Sequence, residues 1–371
     1  MKEEVENKNN KSKLWIIIIC ILIITSIAFL VKDIKSNNEI DVVNEIENAT
    51  ENLITENKID ENLTDESTEQ DSSKSSNEIF SEYYKKAEEK LNEMTLEEKV
   101  GQMFLARYPT QEEALKEIEE EHPGGYILFA KDFEGETQKS VINNLSEAQG
   151  KSKIPLISAV DEEGGNVTRV SRYSAFRASK FKSPQQLYKS GGIEAIIAEN
   201  KEKSQLLLSL GINMNLAPVA DVSTNMEDFI YERTFGKNAE STAEYIKQII
   251  ISMNEEGIIS TMKHFPGYGN NADTHLGVTI DERDYQTFET SDFLPFISGI
   301  EAKAPAILVS HNIVKCMDEN NPASLSENVH KILREDLNFS GIIMTDDLGM
   351  ESVKSYVESG EAAILAVKAG N

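Results

Sequence analysis

Only two cysteines occur in the 371 residues, Cys20 and Cys316, and the first lies inside a hydrophobic run near the N-terminus. No intramolecular disulfide framework is therefore available, although a domain of this size can bury enough core to do without one, even outside the cell. Basic residues are also scarce: 37 Lys and Arg face 64 Asp and Glu, giving a formal net charge of −27. An acidic surface repels a polyphosphate instead of releasing its counterions, which argues against nucleic acid as a partner. Much of the excess is local, because between residues 36 and 77 twelve Asp and Glu face only Lys58 and Lys74. The first 78 residues are poor in aromatics and lack the hydrophobic periodicity of a soluble fold. From about Glu82 onward apolar runs alternate with helical patterns, so one globular domain is expected over 82–371.

What the N-terminus does have is LWIIIICILIITSIAFLV at 14–31, eighteen residues without a charge. As a helix this run spans about 27 Å, close to the hydrocarbon thickness of a bilayer. Lys2, Lys8, Lys11 and Lys13 precede it and the acidic stretch follows. The positive-inside rule then makes 1–13 a cytoplasmic tail, 14–31 a single transmembrane helix, and everything after it extracytoplasmic. The segment 32–81 reads as a disordered acidic linker, since its scattered Ile, Leu and Val cannot offset the entropy of ordering it. A flexible stalk of about 45 residues reaches roughly 35–40 Å, enough to hold a domain within a cell wall.

In the remainder, short apolar strands alternate with amphipathic helices. Strands are expected at 103–106, 125–129, 156–160, 214–218, 259–263, 306–310 and 341–345. Helices are expected at 82–94, then after a Thr95–Glu98 capping box, and at 111–120, 137–149, 193–210, 239–256, 287–302, 326–337 and 355–368. Charge follows nearly every strand: Asp161 the third, Lys263 and His264 the fifth, His311 the sixth and Asp346 the seventh. That pattern fits an α/β fold of the (β/α)8 TIM-barrel type, whose catalytic face lies at the carboxyl ends of the strands. A doubly wound sheet usually carries a Gly-rich phosphate turn, and none follows the first strand. The chain stops where an eighth strand is due, so the expectation is a barrel truncated before that strand, with an aggregation-prone edge.

Three segments run from an apolar strand straight into polar residues: Asp161-Glu162-Glu163-Gly164-Gly165-Asn166-Val167-Thr168-Arg169, Lys263-His264-Phe265-Pro266-Gly267-Tyr268-Gly269 leading to Asp273-Thr274-His275, and Gly341-Ile342-Ile343-Met344-Thr345-Asp346-Asp347. Read without further context, Asp346 is equally a helix N-cap, and Asp-Thr-His an ordinary loop triplet. A zinc site from His264, Asp273, His275 and Asp346 also comes to mind, but no paired-His helical spacing accompanies it. His311 reads as a structural histidine, and His122 and His330 as surface residues.

These segments, over about 92–371, resemble glycoside hydrolase family 3 and within it the single-barrel β-N-acetylhexosaminidases. Ile332-Leu333-Arg334 through Thr345-Asp346 meets the long strand-end pattern of that family. KHFPG followed by Asp-x-His is the mark of the hexosaminidase branch, and GINMNLAPVADV with a later Arg-Thr-Phe-Gly also fits. The resemblance implies that Asp346 is the nucleophile of a retaining mechanism and His275, oriented by Asp273, its acid/base. It further implies that Asp161, Arg169, Arg233, Lys263 and His264 bind the sugar, and that no metal or cofactor takes part. Gly267, Gly269 and Gly277 bracket the loop of His275, which suggests that it swings.

The sequence departs from the pattern in four places. Asn166 stands where Arg is usual, Tyr268 where a second His is common, the loop to His275 is about one residue short, and no Pro follows Gly277. The expected function is exo-hydrolysis of terminal non-reducing β-N-acetylglucosamine, from peptidoglycan fragments, by a domain tethered to the membrane. A β-glucosidase or β-xylosidase of the same family, and a non-catalytic wall-binding barrel, are the alternatives.

Overall fold

The computed structural model describes residues 79–274 and 277–371. The expected membrane span at 14–31, nearly all of the expected linker at 32–81, and His275 lie outside them. Among the described residues no helix is long and apolar enough to cross a membrane.

Seven strands form one wholly parallel sheet: β1 (Leu105–Arg107), β2 (Gly125–Leu128), β3 (Ile157–Val160), β4 (Met214–Asn215), β5 (Ile259–Phe265), β7 (Ala306–Val309) and β9 (Ile342–Thr345), in that spatial order. A second, two-stranded sheet pairs β6 (Ile280–Asp281) with β8 (Ile313–Val314) and was not foreseen, its strands being too short to show a period. Each of the seven strands falls on an expected one. The fourth is regular over only two residues, although Leu216 still donates to the Val160 carbonyl and the Ala217 carbonyl accepts from Thr261.

The sheet is curled. Laid flat, seven strands would put the outermost pair about 29 Å apart at roughly 4.8 Å per spacing. Instead Arg107, at the end of β1, donates from Nε and Nη2 to Asp347 Oδ2 just beyond β9, the Nε contact being 2.7 Å. The carboxyl ends of the two outer strands therefore face one another across a polar seam, as in a barrel. Inside, Ala159, Met214, Leu216 and Ala306 pack with Leu105, Ile127, Ile157, Ile259 and Met344. Between sheet and helices lies the larger core, with Phe265, Phe293 and Phe296 stacked and edge-on around the end of β5.

Local signals set the helices. Thr95 and Thr110 each take the amide of Glu98 or Glu113 while that glutamate takes the threonine amide, starting Leu96–Gln102 and Gln111–Glu120. Ala239–Glu256 ends at Gly257, whose φ of 78° suits only glycine well. The helix expected from 193 begins earlier, at Pro184, with Ser183 as its cap; Gly191 and Gly192 break the path, so the sequence pattern showed only its second half. The last expected helix, 355–368, is observed as Ser359–Ala369, and a short helix that was not expected, Glu351–Lys354, precedes it. His330 is buried, not at the surface, because it lies beside Val329 on the inner face of Glu327–Lys331, with Nδ1 on the Ser326 carbonyl. His122 is half-buried and bonds the Ile118 carbonyl.

Candidate active site

The carboxyl ends of the strands gather the polar side chains. Asp161, Glu162 and Glu163 follow β3, Lys263 and His264 close β5, His311 follows β7 and Asp346 follows β9. Neighbours on a regular strand point to opposite faces, yet Lys263 and His264 both meet mouth residues. The register between β5 and β7 shifts between Lys263 and Phe265, and this bulge re-aims the strand.

Lys263, Arg233 and Glu163 form the centre of the network. Lys263 Nζ lies 2.7 Å from Asp161 Oδ1 and 2.7 Å from Glu163 Oε1. Arg233 grips Glu163 as a fork, Nε to Oε2 at 3.0 Å and Nη2 to Oε1 at 2.7 Å. Arg169 Nη2 stands 3.6 Å from Asp161 Oδ2. Burial alone would push the Glu163 carboxyl up, but Arg233 and Lys263 outweigh it and hold the group well below the ordinary value. Arg233 Nη2 also lies 3.1 Å from His264 Nε2, and His264 Nδ1 lies 2.7 Å from Asp221 Oδ2. Since a guanidinium only donates, Nε2 is the acceptor and Nδ1 carries the proton towards Asp221.

Glu162 points away from this cluster. It accepts the amides of Arg169, Val170 and Ser171 at 2.8, 2.7 and 3.3 Å and so folds the loop that presents Arg169. Asn166, in the same loop, donates to Glu232 at 2.5 Å, tying it to the residue before Arg233.

Asp346 is partly buried, and its Oδ1 accepts the Asp347 amide at 2.8 Å. Burial raises its pKa, but His311, that amide and the charge of Lys263 more than offset it, so the carboxyl stays below its ordinary value. Asp347 is otherwise engaged, with Oδ2 on Arg107 and Oδ1 on the Gly349 amide at 2.8 Å. His311 bonds Ser324 Oγ at 2.6 Å and the Asp347 carbonyl at 3.1 Å; it is a buried structural histidine, as expected, and one that also adjoins Asp346.

The loop after β5 is anchored at several points. Tyr268 gives its amide to Asp221 Oδ1 at 2.7 Å, and its hydroxyl meets Thr274. Arg283 forks onto Asp281, reaches Asp292 at 2.9 Å and donates to the Gly267 carbonyl at 2.8 Å. A Cβ on Gly269 would fall 2.4 Å from that guanidinium, and one on Gly267 would meet the Asp292 carboxylate. These two glycines make room for the Arg283 ion pairs with Asp281 and Asp292. Asp273 is partly buried in the same loop, ahead of Thr274. Among the described residues no group of three or more His, Cys, Asp or Glu side chains converges as metal ligands would.

The sequence model of the glycosyl hydrolase family 3 N terminal domain matches residues 95–371. The chain belongs to this family. It is by family a glycoside hydrolase, and its relatives include a beta-hexosaminidase of Nitrosomonas eutropha, 30% identical over 260 residues that cover 67% of this chain and 72% of that protein. A beta-hexosaminidase of Actinobacillus pleuropneumoniae serotype 5b is 32% identical over 286 residues, covering 71% and 78%. Among solved structures, a family 3 beta-N-acetylglucosaminidase from Paenibacillus sp. FPU-7 superposes with a TM-score of 0.69 at 29% identity, over 75% of this chain and 54% of that one. The chain thus spans about half the length of the Paenibacillus protein. NagZ from Neisseria gonorrhoeae, solved with N-trifluoroacetyl-D-glucosamine, gives a TM-score of 0.61 at 27% identity, over 72% and 77%.

In this family 3 barrel the structure brings Asp161, Arg169, Arg233, Lys263 and His264 into one connected network, with Asp346 adjoining through the positive charge of Lys263. Sequence reading assigned nothing to Glu163, Asp221 or Thr274. Each stands inside or beside a quoted motif, but nothing local distinguishes a network carboxylate from a cap. Glu163→Ala should cost about 3–5 kcal/mol in chemical denaturation, since it leaves Arg233 and Lys263 buried and facing one another. Because the folded pKa of Glu163 is depressed, its contribution is present above its ordinary value of 4.5 and is lost as pH falls below it. Wild-type stability should therefore fall on acidification through that range more steeply than that of the variant. Equal slopes would show that Glu163 is not the linked group.

Proposed function

We propose that this chain is a retaining, exo-acting β-N-acetylglucosaminidase in which Asp346 is the nucleophile and His275, oriented by Asp273, the acid/base. The observation that carries the reading is Asp346 at the mouth of the barrel, held ionised and fixed by the Asp347 amide, beside a cluster of cations and carboxylates suited to sugar hydroxyls. The printed names of the relatives support the same chemistry. In the first step the Asp346 carboxylate attacks the anomeric carbon as the glycosidic C–O bond breaks, and His275 gives its proton to the departing oxygen. In the second, water gives a proton to the imidazole and attacks the same carbon, releasing Asp346 with net retention. Asp161, Arg169, Arg233, Lys263 and His264 hold the ring, their mutual ion pairs pre-setting the hydroxyl-binding geometry before the sugar arrives.

The deciding measurement compares aryl β-N-acetylglucosaminides with aryl β-glucosides and β-xylosides. Turnover of the first at least about 10²-fold above the others is expected, because a site built to pair a buried polar group rejects a substrate that lacks it. Preference for a glucoside or xyloside would transfer the chain to another activity of the family, and no turnover at all would favour a wall-binding barrel.

The natural substrate we propose is a peptidoglycan fragment, on the strength of the apolar run at 14–31 and the acidic stretch that follows it. That run anchors the chain in the cell membrane with the barrel outside. Protease added to intact, wall-stripped cells should release the barrel by cutting within 32–81. Full protection of the barrel would mean the opposite orientation.

A further inference from the structure

Tyr268 is buried at the mouth, and its hydroxyl makes two bonds to a single residue. It accepts the amide of Thr274 at 2.9 Å, which uses an oxygen lone pair, and so can give its own proton to Thr274 Oγ1, 2.7 Å away. Two bonds to one residue fix orientation as well as distance. The phenol is itself held from several sides: its amide on Asp221, its ring edge-on to His264 with centroids 5.4 Å apart, and Phe229 tilted against it at 5.7 Å. The other oxygen of Asp221 holds His264, so a sugar-binding imidazole and this loop share one carboxylate. Asn271 ties the Tyr268 carbonyl to Asp281, at 2.8 and 2.6 Å.

We infer that Tyr268 is a positioning residue for proton transfer: by clamping Thr274 it sets where the residues on either side of it in sequence, Asp273 and His275, stand relative to Asp346. Burial, with the charges of Asp346 and Asp273 adding to it, pushes the phenol up to about 12, so it keeps its donor proton across the working range of a glycosidase. The inference rests on the roles proposed above for Asp273 and His275.

Tyr268→Phe deletes one oxygen and keeps the ring, and kcat/KM, which reports the glycosylation step, is the readout. On an N-acetylglucosamine disaccharide it should fall by about 10–100-fold, as expected when a proton donor is displaced without being removed. On 2,4-dinitrophenyl N-acetylglucosaminide, whose leaving group needs no proton, it should fall by less than about threefold, while kcat and KM fall together because the slowed second step lets the glycosyl-enzyme accumulate. Thr274→Val, which leaves the buried ring intact, should show the same substrate-selective loss in weaker form, and it carries the test should Tyr268→Phe not fold. The double variant should lose no more than the worse single one. Equal losses on both substrates, or no loss on the disaccharide in either variant, would overturn the inference. Wild-type protein inert on both substrates would instead overturn the proposed function.

Discussion

Asp346→Ala should abolish hydrolysis of every N-acetylglucosaminide, with kcat/KM reduced by at least about 10⁴-fold, because the covalent step we propose needs its carboxylate. The neighbouring Asp347 is the obvious substitute, and the structure argues against it. Its two oxygens are taken by Arg107 and the Gly349 amide, and it holds the seam between the first and last strands. The fold should survive the change at 346, since among the described residues that side chain is hydrogen-bonded to the amide of the next residue and makes no long-range ion pair. Steady-state rates and a thermal melt together check both statements. A companion measurement locates the bond: with an activated aryl substrate, a glycosyl adduct should accumulate on the peptide containing Asp346 when the second step is slowed. An adduct on another peptide, or residual turnover within tenfold of wild type, would remove Asp346 from the role.

His275→Ala should cut cleavage of unactivated disaccharides by about 10²–10⁴-fold, the usual contribution of a positioned proton donor, while sparing glycosylation by dinitrophenyl substrates. The same substitution removes the proposed base for water, so it is the background in which the adduct on Asp346 should build up. Asp273→Asn should resemble a milder form of it, disturbing the orientation and proton affinity of the imidazole without deleting it. Uniform losses across good and poor leaving groups would reduce His275 to a binding residue and send the search for the acid elsewhere in the loop.

These two variants test residues that the sequence singled out, and the difference between what was legible and what was not has a physical basis. The seven strands, their order of appearance and most helices are written locally. Alternation of short apolar runs with 3.6-residue periods needs only a window of a dozen residues, and the capping boxes at Thr95 and Thr110 need four. The charge after nearly every strand was equally visible, because a barrel tolerates charge at that end. The long strand-end motif around Asp346 carried the family. Sequence reading erred where a local pattern had a tertiary cause: His330 looked exposed but sits on an inward face.

What the sequence by itself determined is a parallel α/β repeat with a glycosidase motif at its strand ends, since periods, caps and contiguous motifs are properties of neighbouring residues. Only the tertiary structure decided the partners of those strand-end groups. Arg233 and Glu163 are 70 residues apart in the chain, Lys263 and Asp161 are 102 apart, and Arg107 closes the sheet on Asp347 across 240. The clamp of Tyr268 on Thr274 is short in sequence, but it depends on Asp221, 47 residues upstream, to hold the Tyr268 amide. No local signal tells a carboxylate which cation the curling of a sheet will bring to it, and the chemistry at the mouth of this barrel is set by those pairings.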